Sequence, residues 1–280
     1  MPKVKINDVD IYYESHGSGF PLILTYGLGG NTGEWKPQVP ELSKAHRLIL
    51  WDPRGHGQSE SPPQQEQYGM DISAEDLHEL MNHLDIPEAY VGGLSMGGGI
   101  STRFTLAYPE RVVALLIIDS NSASGIPASP EGRAEREKRI QLAETQGMEA
   151  VAEYAIVSNP SIAGRAGKGP EEVKAIREMY KALNPRGYAS TVRAMLTSDS
   201  ITDRLSQIKV PTLVLAGEED PALPSARLTH EKISSSKLVI IPQAGHLSNL
   251  DQPELFNLEV LKFLTEINTN RSLGKDTAQG

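Results

Sequence analysis

Gly93-Leu94-Ser95-Met96-Gly97 is the stretch on which the reading of this 280-residue chain turns. The apolar run Ala89–Gly92 precedes it and a helical pattern, Gly98 to Tyr108, follows, so the serine falls on a sharp strand-to-helix turn, the setting that a G-x-S-x-G motif requires. A side chain lifted onto such a turn sits in strained backbone, and a Cβ on either neighbour would clash, which accounts for the flanking glycines. A plain glycine-rich turn, or a phosphate cradle at a helix N-terminus, is the competing reading. Against the cradle, the chain has no G-x-x-x-x-G-K-[ST], and its glycines here do not space as G-x-G-x-x-G.

Outward from the turn, short β-branched and leucine-rich runs alternate with turns and helical patterns, the signature of a mostly parallel sheet with crossover helices. The candidate strands are Val4–Ile6, Ile11–Glu14, Leu22–Thr25, Leu48–Trp51, Ala89–Gly92, Ala114–Ile118, Thr212–Ala216 and Leu238–Ile241. The first two read as a hairpin through Asn7-Asp8, and the later ones as strands buried on both faces. Ser73-Ala74-Glu75-Asp76 is expected to open a helix that Pro87 closes.

From Asn121 to about Ser206 the strand signal gives way to helical segments near Glu131–Thr145, Met148–Val157, Glu171–Leu183 and Arg186–Thr197. Residues 121–205 are therefore expected to form a helical cap inserted in a core of 1–120 and 206–268, with 269–280 a disordered tail. The mixed charges of Glu131 to Lys138 read as a solvated helix face without a function.

A serine hydroxyl is a weak nucleophile at neutral pH, so it needs a base within reach and a third group to orient that base. His246 follows the last apolar strand in Gln243-Ala244-Gly245-His246, where open sheets bind ligands, whereas His16, His46, His78, His83 and His230 lie in polar or helical surroundings. His56, in Asp52-Pro53-Arg54-Gly55-His56-Gly57-Gln58-Ser59, reads as part of a structural turn. For the acid, Leu213–Gly217 runs into Glu218-Glu219-Asp220-Pro221; Asp220 is the candidate, and Asp119, at the end of another strand, is the reserve. Charge that builds on an attacked carbonyl oxygen needs backbone donors, here assigned to the N–H groups of Leu28, in Tyr26-Gly27-Leu28-Gly29-Gly30, and of Met96.

Composition bounds the alternatives. A net charge of −9 disfavours nucleic acid and anionic membranes as partners. The absence of cysteine removes disulfides, thiolate metal sites and cysteine nucleophiles. No two histidines fall at the i, i+4 spacing of a helical zinc motif, so neither metal nor cofactor is expected. Met1 to Asp10 lacks the apolar core of a secretory signal and reads as a strand, and no apolar run approaches the ~20 residues that span a bilayer. The expectation is a cytoplasmic protein acting on a small molecule, with a homodimer left open.

With these pieces in place, the chain from about Lys3 to Ile267 resembles the α/β-hydrolase family, including its Asp-x-Arg-Gly-His-Gly-x-Ser stretch at Asp52–Ser59 and the order Ser95, Asp220, His246. Trp35, Pro40-Glu41-Leu42 and Gly93–Gly98 look most similar to the 3-oxoadipate enol-lactonase and small carboxylesterase branch. The resemblance implies the α/β-hydrolase fold, with eight mostly parallel strands, and hydrolysis of a carboxylic ester or lactone through an acyl-enzyme. Carbon–carbon bond hydrolysis, or a slow-turnover ligand receptor, is the alternative use of such a site. Tyr26 stands where the family commonly has histidine; a phenol there either replaces a structural hydrogen bond or points at substrate. It is therefore a candidate pocket residue together with Trp35.

Overall fold

Every apolar run becomes a strand of one eight-stranded sheet in the computed structural model of the protein, which describes residues 3–120 and 129–277. The strands are β1 (Lys3–Ile6), β2 (Val9–His16), β3 (Phe20–Thr25), β4 (His46–Trp51), β5 (Ala89–Leu94), β6 (Val112–Ile118), β7 (Thr212–Gly217) and β8 (Ser236–Ile241). Asn7 and Asp8 both adopt positive φ, 48° and 63°, as a two-residue hairpin turn demands, and β1 pairs antiparallel with β2. β2 runs antiparallel to β4, and all later pairings are parallel, in the order β1-β2-β4-β3-β5-β6-β7-β8.

β3 has β4 on one side and β5 on the other, so the direction in which strands are added reverses there. In an open parallel sheet that reversal leaves a crevice beyond the carboxyl ends of the strands. The loop after β3 and the turn after β5 flank it.

Helices α1 (Val39–Leu42), α2 (Met70–His83) and α3 (Met96–Ala107) precede β6. After it come α4 (Pro130–Thr145), α5 (Met148–Ser158), α6 (Pro160–Ala166), α7 (Pro170–Lys181) and α8 (Pro185–Thr197), and the chain ends with α9 (Leu223–Lys232), α10 (Ser248–Asp251) and α11 (Pro253–Thr277). The period-2 alternation of the strands sorts the core into two layers. Ile23, Ile49 and Val91 pack with Leu77 and Leu80 of α2 and Phe104 of α3. Leu22, Leu24 and Leu50 pack on the other face with Leu42 of α1 and Phe256 and Val260 of α11. Helices α4, α5, α7 and α8 share a separate apolar cluster around Ile140, Val151, Ile176 and Val192.

Three elements differ from the sequence reading. Helix α2 begins at Met70, not Ser73, because Met70 is itself buried and the Ser73 N–H is already satisfied by the Gly69 carbonyl at 2.9 Å. Helix α6 was not foreseen; Gly164 weakens its pattern, yet Asn159 caps it through Ser161 N at 3.1 Å and Ile162 N at 3.3 Å. Helix α11 continues through 269–277, read above as tail. It is anchored there, since the Tyr90 hydroxyl donates to Asn268 Oδ1 at 2.5 Å, and Arg271 pairs with Glu88 and lies 4.8 Å from the Phe20 ring centroid. Residues 121–128 of the expected cap and 278–280 of the tail lie outside the described residues.

The Asp52–Ser59 turn is held from within. Asp52 accepts from Thr32 N at 2.8 Å and Gln58 N at 2.9 Å, while Arg54 forms two 2.7 Å bonds to Asp76, both side chains almost wholly buried. Burial pushes the His56 imidazole down to about 4, so it is neutral inside this turn. Arg54→Ala strands the Asp76 carboxylate in the interior and is expected to cost about 3–5 kcal/mol of stability. Urea unfolding of the variant measures this directly, and adding Asp76→Ala is expected to recover part of the loss.

Candidate active site

Ser95 connects β5 to α3 with φ 54° and ψ −115°, a strained conformation for a residue with a Cβ. The surrounding backbone holds it there: Ser95 N donates to the Ile118 carbonyl at 2.8 Å, and the Ser95 carbonyl accepts from Ser120 Oγ at 2.6 Å and Gly99 N at 3.3 Å. The glycines on either side are required by close approach. A Cβ at Gly97 would lie 2.2 Å from the Thr25 carbonyl oxygen, and one at Gly93 2.3 Å from the Gly97 carbonyl carbon.

The turns after β7 and β8 are joined to each other before they meet the serine. Glu218 N donates to the Ile241 carbonyl and Glu219 N to the Ala244 carbonyl, each at 2.9 Å. Gly217 sits so close to the second turn that a Cβ there would lie 2.2 Å from the Gly245 carbonyl oxygen. This pairing carries Asp220 and His246 to the serine. His246 Nδ1 is 2.8 Å from Asp220 Oδ1, and His246 Nε2 is 3.0 Å from Ser95 Oγ. The Asp220 side chain is fully buried and its Oδ1 also accepts from Ala222 N at 2.8 Å. A carboxylate opposite Nδ1 requires that nitrogen to carry the proton, which leaves the Nε2 lone pair facing the serine hydroxyl.

Electrostatics at the imidazole oppose one another. Burial alone lowers its pKa, but the bond to Asp220 and the charges of Asp220 and Asp119 outweigh it, and the net shift is upward from the usual value. Asp119 makes no hydrogen bond to His246. Its Oδ1 accepts from Gly217 N at 2.9 Å, and its Oδ2 accepts from Ser248 N at 2.9 Å and Ser248 Oγ at 2.6 Å. It thus ties the end of β6 to both later turns. Burial first, and then the Asp220 charge, push its own pKa up.

The β3 loop lies against the serine turn, with only 3.0 Å between Ser95 Cβ and a Cβ built on Gly27. Leu28, next in that loop, and Met96, the first residue of α3, have backbone N–H groups that donate to no described residue. An N–H at the first helical position has no partner within its helix and is free to meet an anion. Leu28, Ser95 and His246 line one cavity of about 450 Å³, within the usual size of small-molecule sites.

Two sequence-level candidates fall elsewhere. Tyr26 and Trp35 are buried in the core beside Phe256, their rings edge to face at 5.2 Å, and neither lines this cavity. The Tyr26 hydroxyl donates to Asn249 Oδ1 at 3.4 Å, so of the two roles open to it the phenol takes the structural one. Conversely, the charge run Glu131 to Lys138 is not wholly solvated: Gly132, Glu135 and Arg136, with Arg139 one turn on, line the cavity. Their spacing of three, one and three marks a single helix face shared with the buried Ile140 and Ala143, which is the sequence signal that identifies it. Among the described residues no group of three or more His, Asp or Glu side chains is placed to hold a metal ion, and no helix is long and apolar enough to cross a membrane.

The chain belongs to the alpha/beta hydrolase fold family, whose model matches residues 21–253. It is 31% identical to 3-oxoadipate enol-lactonase 2 of Acinetobacter baylyi over 93% of this chain and 95% of that one. A putative carbamate hydrolase of Azorhizobium caulinodans is 30% identical over 95% of this chain and 99% of its own. The crystal structure of the enol-lactonase from Burkholderia xenovorans superposes with a TM-score of 0.84 at 29% identity, covering 94% of this chain and all of that one. The eight-stranded, mostly parallel sheet with flanking helices is the fold expected from the sequence, and the protein is a hydrolase.

Proposed function

We propose that the protein hydrolyses a carboxylic ester or lactone through an acyl-enzyme on Ser95. The observation that carries this reading is the unbroken line from Asp220 through His246 to Ser95, at 2.8 and 3.0 Å, ending on a strained serine that lines the cavity. The enol-lactonases among the relatives favour an ester or lactone carbonyl as the group attacked.

Ser95 Oγ adds to the carbonyl carbon as its proton passes to His246 Nε2, and the oxyanion is met by the N–H groups of Leu28 and Met96. The acyl carbon–oxygen bond then breaks and His246 returns the proton to the leaving oxygen. Water repeats the sequence on the acyl-enzyme: it loses a proton to His246, adds to the carbonyl, and Ser95 departs with that proton. Asp220 holds the Nδ1 proton throughout and stabilises the imidazolium. Helices α4 to α8, built around their own apolar cluster and reaching over the carboxyl ends of the strands, act as the cap that sets which acyl group is accepted.

Only the neutral imidazole accepts the serine proton, so kcat/KM is expected to fall as pH drops through the His246 pKa in the free enzyme. Since that pKa is displaced upward, the half-maximal point is expected above 6.5, the ordinary histidine value. A pH profile with a p-nitrophenyl ester, followed between pH 5 and 9, checks this; a rate flat across that range would remove histidine as the base.

A further inference from the structure

We propose that Arg136 anchors an anion subsite in this cavity and selects esters or lactones that bear a carboxylate away from the reacting carbonyl. The proposal deepens the ester-hydrolase reading and rests on it.

The inner face of α4 carries two arginines in different states. Arg139 is committed: its Nε lies 2.8 Å from Glu135 Oε1, its Nη2 2.9 Å from Glu135 Oε2, and its Nη1 donates to the Tyr188 hydroxyl at 2.6 Å. Its side chain is 5% exposed, and the Glu135 charge is consumed in the pair. Arg136 lines the same cavity and makes no ion pair or hydrogen bond with any described residue. It is partly buried, and that burial, with the charges of Arg139 and Arg133, outweighs Glu135 and lowers its pKa from the usual guanidinium value. Arg133 itself faces Glu137 at 3.9 Å. Glu131, the other carboxylate of the lining, is solvent-exposed and turned to Ser129 and its own backbone.

A partly desolvated guanidinium without a counter-charge is costly, and a ligand carboxylate would satisfy its planar fork with two parallel bonds. One charge is the right number. Arg139 is neutralised and His246 must be neutral to act, so a dianionic phosphate would bring more negative charge than the cavity can match. A purely alkyl acyl group makes no bond to Arg136 and gains nothing from it, so the subsite favours anionic substrates over neutral ones.

The test compares p-nitrophenyl butyrate with mono-p-nitrophenyl glutarate on the wild type and Arg136→Gln, with calorimetric binding of free glutarate to both. Loss of a charge-assisted bond is expected to lower kcat/KM for the glutarate ester by about tenfold to a hundredfold and weaken glutarate binding comparably, against a change under about threefold for butyrate. Arg136→Lys, which keeps the charge without the fork, is expected to restore part of both. An equal loss on both esters would overturn the proposal by making Arg136 structural, and no change on either would overturn it by removing Arg136 from the substrate. A folded wild type that turns over neither ester would refute the ester-hydrolase reading. Glutarate binding still decides the subsite in that case: dependence on Arg136 upholds it, and independence or absence of binding overturns it.

Discussion

Ser95→Ala is expected to lower kcat toward an activated ester by about 10⁵- to 10⁶-fold while leaving thermal unfolding close to that of the wild type. The two halves of this result have separate causes. On the proposed mechanism, loss of Oγ removes the atom that forms the acyl-enzyme, whereas the cavity and the Leu28 and Met96 N–H groups remain, so residual catalysis over water is still expected. Stability holds because alanine at position 95 keeps the Cβ and the backbone bonds to Ile118, Ser120 and Gly99 that maintain the strained turn. His246→Ala is expected to cost a comparable factor, and the double variant little more than either alone, because in the proposed mechanism serine and histidine act as one unit. Steady-state kinetics on the two single variants and the double variant measure this non-additivity directly.

Asp220→Asn is expected to lower kcat by about 10³- to 10⁴-fold with the fold intact. An asparagine amide presents donors as well as an acceptor to His246 Nδ1, and when it donates, the ring proton moves to Nε2, the nitrogen that faces Ser95 at 3.0 Å. Asp119→Asn is the informative contrast, since both carboxylates are buried at strand ends and both were candidates in the sequence. Asp119 accepts three bonds, from Gly217 and Ser248, and an amide can offer only one oxygen to them. That variant is expected to lose about 1–3 kcal/mol of stability from an unsatisfied buried donor, with a far smaller effect on kcat. Removing its charge also removes one of the influences that raise the His246 pKa, so the acidic limb of its pH profile is expected to move to lower pH. Urea unfolding and pH-dependent kinetics on the two variants separate the orienting acid from the residue that ties the turns together.

The fold was legible because strands buried on both faces leave continuous apolar runs, such as Leu213–Ala216 and Val112–Ile118, that few other structures produce. Ser95, Asp220 and His246 were legible for a related reason. Ser95 and Asp220 follow such runs in β5 and β7, and His246 follows the apolar run of β8, which lies at the sheet edge and is only partly buried rather than covered on both faces. Topology sends all three to the carboxyl ends of the strands. Roles carried by tertiary contacts were not legible. Tyr26 takes its place from the ring of Trp35 and the amide of Asn249, 223 positions away in the chain. Asp119 and Asp220 are both strand-end aspartates, and the sequence, which ranks Asp220 first, does not show the role of Asp119, which rests on its hydrogen bonds to Gly217 and Ser248. The α4 arginines mislead in the opposite direction, since a polar face turned into a cavity has the composition of one turned into water. Even there the periodicity held a trace, because Arg136 and Arg139 share their face with Ile140 and Ala143.

The most direct test of an acyl-enzyme on Ser95 is labelling of the native protein with a fluorophosphonate, followed by mass-spectrometric mapping of the modified residue. The account predicts a single adduct on Ser95, formed at a rate that falls with protonation of His246 and absent from Ser95→Ala and His246→Ala. An adduct on another residue, or undiminished ester turnover by unlabelled Ser95→Ala, would contradict it.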